Sequence, residues 1–229
     1  MTKPGLFINS GCLFGIAKQA YERAKAAAKH DRSFEQREPL IAIVFAAAAA
    51  EGFINEMREL ALQCCGVPPW AGVGPEPDQV ENLGSLLSEV EGAGGTTKLK
   101  FLVGKLALSG RPFDKGANPY QDFAMLLDLR NSLVHLKFDR IEYPQINEVR
   151  VQHPDVINKL RSKNILAEFE DEQSLPSWVV LVSTPAVARW ACNAIAAIVK
   201  DLVGSIPDSE LRRKAELFYY QFGAFAPVT

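Results

Sequence analysis

The stretch LIAIVFAAAAA, Leu40 to Ala50, constrains this chain more than any other part of it. It lies between Glu38 and Glu51, inside a segment from Arg37 to Cys65 that reads as one long, largely buried helix. Pro39 stands near its start, where the missing N–H costs little. The uninterrupted apolar run is too short to span a bilayer, so no membrane partner is expected. A helix this apolar needs other helices around it, and the expected fold class is all-α, a helical bundle.

Helical signals dominate the remainder. GIAKQAYERAKAAAKH, Gly15 to His30, is rich in Ala, Lys and Glu. GVPPWAGVGPEP, Gly66 to Pro77, makes an irregular connector. DQVENLGSLLSEVEG and TTKLKFLVGKLALSG are two shorter amphipathic helices separated by AGG, and Pro119 opens a fifth. Beyond Lys137 the pattern weakens: FDRIEYPQINEVRVQHP reads as loop or a short β-hairpin, and SWVVLVS as a short strand. In the last long helix Thr184 is placed to cap, Pro185 fits the first helical position, and Gly204 and Pro207 end it. No repeat or linker divides the chain, which reads as one helical domain over residues 1–229.

Composition sets the outer limits. With 48% hydrophobic and 23% charged residues and a formal net charge of −2, the 229-residue chain is not a globally basic nucleic-acid binder, although a local basic groove is compatible with it. The N-terminal MTKPGLFINSGCLFGIA lacks a basic n-region and a clean cleavage site, so it does not read as a signal peptide. Cys12, Cys64, Cys65 and Cys192 include no C-x-x-C pair, and free thiols in a reducing cytoplasm are the simplest expectation.

Chemistry concentrates in DLRNSLVHLK, Asp128 to Lys137. On a helical wheel Asp128, Asn131, Ser132 and His135 share one side, with Asn131 and His135 one turn apart. Phe123, Leu126, Leu133 and Val134 occupy the other, and Arg130 falls in the middle of that apolar arc. A buried guanidinium requires an acid or a ligand anion. Glu51, which interrupts the most apolar helix, is the expected partner, and Asn55 follows one turn later on the same face.

These residues resemble the HEPN domains (higher eukaryotes and prokaryotes nucleotide-binding), helical bundles marked by an Arg, four to six residues, then a His. Arg130-Asn131 followed by His135 fits that pattern, and AAAEGFINEM, Ala48 to Met57, is similar to the acid-bearing helix that pairs with it. The likeness covers about residues 34–138, with a helical extension over about 154–222. Arg23 to His30, with six intervening residues, also falls within that range but has no following Asn and no companion acid. The resemblance implies a metal-independent endoribonuclease acting as a toxin or defence effector, with Arg130, Asn131 and His135 catalytic and Glu51, Asn55 and Asp128 supporting. It also implies RNA as substrate, a homodimer with composite sites, and an antitoxin or other protein partner. No cofactor and no metal are implied.

The residue types suit that chemistry. RNA carries its own nucleophile in the 2′-hydroxyl. An imidazole is able to move the proton, an arginine fork to hold the phosphate oxygens, and an amide to orient either without adding charge.

A different class of reading stands beside it. Arg130 and Glu51 alone would tie two helices together, His135 would cap a helix end, and Asp128 would be solvated rather than orienting His135. The protein would then be a non-catalytic helical module binding nucleotide, RNA or a protein partner. His30 and His153 are scattered and show no metal-ligand spacing. Lys98, Lys100, Lys105, Arg111 and Lys115 form either an RNA groove or ordinary charged faces. Trp70, Trp178 and Trp190 read as core or loop anchors. There is no phosphate-binding glycine loop and no Ser-His-Asp arrangement.

Overall fold

Everything in the fold is organised around the long apolar helix. A computed structural model describes residues 7–29, 37–65, 76–135, 139–145, 148–166, 177–221 and 224–229. In it α2 spans Glu38–Cys65, and α1 (Ser10–Ala27) lies against it. Ala17 and Ala20 of α1 and Ala42, Ala46 and Ala49 of α2 are all fully buried. Small side chains let the two backbones approach closely: a Cβ on Gly52 would lie 3.3 Å from the Cβ of Ser10.

The sequence pattern places α3 (Asp78–Gly92) and α4 (Thr97–Ser109) closely. The Thr96 hydroxyl accepts the Leu99 N–H at 3.3 Å to start α4, and Gly110, at a left-handed φ of 69°, ends it. Helix α5 (Tyr120–Val134) follows and packs on α2. Of the two readings of the stretch after Lys137, loop or hairpin, the hairpin is present: β1 (Arg140–Gln145) and β2 (Glu148–Gln152) pair antiparallel with Ile141 opposite Val151. The register shifts between Glu142 and Gln145, where Pro144 has no N–H to give the ladder.

Helices α6 (Asp155–Ser162), α7 (Trp178–Val182), α8 (Pro185–Gly204) and α9 (Glu210–Glu216) complete the bundle, and a π-helical turn runs over Leu217–Gln221. The expected strand in SWVVLVS is instead α7. Its apolar run buries Trp178, Leu181 and Val182 at helical spacing, on one side, so the 3.6 period prevails over β propensity. Helix α8 begins as expected, with the Thr184 hydroxyl accepting from Val187 and Pro185 in the first turn. It packs on α1, α2, α4 and α5, so the C-terminal helices share the core with the first five.

Aromatic rings run through that core. Phe53 meets Tyr219 at 4.8 Å between centroids and Phe101 at 6.0 Å, and Phe101 meets Phe123 at 4.4 Å. By length and composition α2 is apolar enough to cross a membrane, although the run from Leu40 to Ala50 alone suggests otherwise. Most of that stretch is buried inside the bundle instead. Cys64 and Cys192 are buried free thiols, pushed up to about 11 and about 12 chiefly by burial; Cys12 and Cys65 are exposed and free. His30, Trp70 and most of the Gly66–Pro77 connector lie outside the described residues.

Candidate functional site

Helix α5 divides its polar residues between two directions. Asn131 and His135 are exposed on one side, one turn apart as the wheel predicts. The backbone N–H of His135 closes the helix by donating to the Asn131 carbonyl at 3.0 Å. The imidazole itself makes no hydrogen bond or ion pair among the described residues. Ser132 departs from the expected polar side: it is buried, and its hydroxyl donates back to the Asp128 carbonyl at 3.0 Å. Val134, expected on the apolar side, is 55% exposed. Asp128 does not orient His135; its carboxylate accepts from Lys98 of α4 at 2.6 Å.

Arg130 points elsewhere, toward α2. Its Nη2 lies 3.3 Å from the Glu51 carboxylate, so the expected pairing between the two helices is present. The pair is not the buried one that the apolar arc suggests, since the side chains are 25% and 47% exposed. Water screens such a bridge, and a single contact uses one of five guanidinium donors. The Nε of Arg130 is buried with no hydrogen-bond partner among the described residues. Glu51→Ala is therefore expected to lower stability by only about 1 kcal/mol or less. A thermal melt checks this, and a collapse of the fold would contradict the exposed geometry.

Asn55, the other supporting residue on α2, does not reach α5. Its side-chain oxygen accepts from the buried Lys100 of α4 at 2.9 Å, and Lys100 also pairs with Glu91 of α3. Arg58 of α2 reaches the same Glu91 at 3.7 Å and Glu59 at 2.7 Å. Glu51, Asn55 and Arg58 thus form a polar seam along the outer side of α2, joined to α3, α4 and α5. Lysine pairing holds the Glu91 carboxyl below its usual range.

The buried acid of α2 is Glu56, which the sequence reading passed over. Its carboxylate accepts the backbone N–H groups of Asn9 and Ser10 at 2.7 and 2.8 Å, the Ser10 hydroxyl at 2.5 Å and the Tyr219 hydroxyl at 3.0 Å. It therefore caps α1 from a neighbouring helix, which explains why α1 begins at Ser10 rather than at Gly15. Burial, and then the Glu56 charge, push the Tyr219 phenol up, so it stays a neutral donor. The wheel held the signal: Glu56 falls in line with Ala49, Phe53 and Leu60, whereas Glu51 falls nearly opposite.

His153 is not scattered either. Its Nδ1 lies 2.8 Å from the Asp139 carboxylate, whose second oxygen accepts the Trp178 backbone N–H at 3.2 Å. The two residues continue the β1–β2 register by one pair, so this contact ties the base of the hairpin to the start of α7. No sequence periodicity marks such a cross-strand pair.

Of the five basic residues considered as an RNA groove, Lys98, Lys100 and Lys105 are held by Asp128, Glu91 and Asp201, while Arg111 and Lys115 are exposed. Trp178 is a core anchor, buried to 1% exposure. No group of three or more His, Cys, Asp or Glu side chains able to hold a metal occurs among the described residues. No family model, curated protein or solved structure matches the chain, so the reading of Arg130, Asn131 and His135 rests on their chemistry and placement.

Proposed function

We propose that the protein is a metal-independent endoribonuclease of HEPN type, acting in the cytoplasm as a toxin or defence effector. The observation that supports it is the end of α5, where the exposed His135 and Asn131 stand one turn apart with unengaged side-chain polar groups, while Arg130 of the same helix faces α2. The 2′-oxygen of the substrate attacks its own phosphorus after losing a proton to an imidazole, and the 5′-oxygen leaves as a hydroxyl after gaining one. Arg130 stabilises the phosphorane oxygens and Asn131 orients the phosphate.

One chain supplies one imidazole at this helix end, and two proton transfers are needed. Pairing of two α5 helices about a two-fold axis provides both His135 side chains in one cleft. Sedimentation at micromolar concentration is expected to give a dimer, and a monomer would argue against composite sites. A mixed RNA pool incubated with the protein and a chelator tests the activity itself: cleavage supports the reading, and intact RNA opposes it.

The Arg130–Glu51 contact favours a second reading. Arg130 turns toward α2 and belongs to the same seam that binds α3, α4 and α5 together. On that reading the pair serves the fold, and the protein is a helical module binding nucleotide, RNA or a protein partner, an antitoxin among them.

A further inference from the structure

Away from the end of α5, an open cleft of ≈ 730 Å³ runs between the outer side of α8 and the start of α5. Helix α8 contributes Trp190, Ala194, Ala197 and Lys200, a stripe at spacings of four, three and three residues. Trp190 and Ala197 are about 10 Å apart along the axis, and Lys200 lies one turn further. Pro119 adds another apolar surface. The lining thus includes an aromatic ring, two methyl groups and a pyrrolidine beside the amides of Asn118 and Asn193, with Lys200 at one end of the α8 stripe.

Charge accounting in the cleft leaves one group over. Asp201 is neutralised by Lys105, which also donates to the Ser205 hydroxyl at 2.6 Å. Asp122 is neutralised by Lys163, which follows α6. Lys200 is exposed and makes no ion pair or hydrogen bond among the described residues. A lone ammonium on a rim holds a bare anion weakly in water. An apolar floor holds a hydrocarbon without discriminating its ends. Both together select a molecule with an apolar body and one negative end.

We propose that this cleft binds a small amphiphilic carboxylate of the medium-chain fatty-acid class, its body on Trp190, Ala194 and Ala197 and its carboxylate at Lys200. The site is independent of the RNA-cleaving reading. Inorganic phosphate lacks the body, and an alkylammonium of equal length meets the wrong charge.

Calorimetric titration of the full chain with octanoate tests it, beside octyltrimethylammonium and inorganic phosphate. Octanoate is expected to bind saturably, one per chain, and the other two are not. Lys200→Glu is expected to weaken octanoate binding by about tenfold or more, and Lys200→Arg to keep it. Ala197→Trp, which fills the floor from an exposed position, is expected to abolish it. A thermal melt of each variant confirms that it is folded. The proposal is overturned if octanoate does not saturate, if folded Lys200→Glu or Ala197→Trp binds like wild type, or if phosphate binds as well as octanoate.

Discussion

His135→Ala is expected to cut RNA about two to four orders of magnitude more slowly than wild type, the usual worth of a general acid–base group. It is also expected to melt at nearly the wild-type temperature, because the imidazole is exposed and holds no other described side chain. The combination separates chemistry from folding. Gel assays on equally folded proteins read the first quantity and calorimetry the second. Equal rates would remove His135 from the mechanism, whereas a large loss of stability would make it a structural cap. Arg130→Ala is a less clean probe, since it also cuts the seam to Glu51.

The second large effect concerns a residue outside the proposed site. Glu56→Ala is expected to destabilise the protein by about 3–5 kcal/mol, a large share of the stability of a domain. Glu56 is 9% exposed, and its carboxylate satisfies two backbone N–H groups and two hydroxyls. Truncation leaves those donors without acceptors in the core and removes the negative charge at the start of α1. Glu56→Gln should cost less, because the amide oxygen retains an acceptor while its NH2 faces donors. Chemical denaturation of both variants checks the order. Wild-type stability in Glu56→Ala would mean that water replaces the carboxylate.

The contrast between Glu51 and Glu56 shows where the sequence was legible. An apolar run with helix formers on both sides identifies α2, amphipathic patterning identifies α3 and α4, and cap, proline and glycine positions identify α8, because these signals are local. The meeting of α2 with α5 through Glu51 and Arg130 was also legible, since each charge interrupts an apolar pattern. What Glu56 faces was not. Glu56 is satisfied by the start of α1 and by Tyr219, residues 46 and 163 positions away in the chain. Periodicity carries no information about such distant donors. The same holds for Asp139 and His153, which only the hairpin register brings together, and for Asn55, whose partner proved to be Lys100 rather than a residue of α5. In α7, the five residues bury Trp178, Leu181 and Val182 at helical spacing, a signal that the β-rich composition of the segment masked in the sequence.

At the proposed site, Arg130, Asn131 and His135 were all read from one decapeptide, and their division into two directions follows from the same wheel. Asn131 and His135 fall together, while Arg130 lies well round the helix from them. A second copy of α5, rather than a rearrangement of the first, is what would bring a guanidinium and two imidazoles around one phosphate. Assembly is thus part of the catalytic account.

The end groups of the product test the central claim most directly. RNA incubated with wild-type protein and a chelator should yield fragments ending in 2′,3′-cyclic phosphate and beginning with 5′-hydroxyl, read by mass spectrometry. An otherwise identical strand with a 2′-deoxy sugar at the cleaved position should remain whole, because the nucleophile is gone. Cutting at the deoxy position, fragments beginning with 5′-phosphate, or no cleavage at all would contradict an endoribonuclease working through His135.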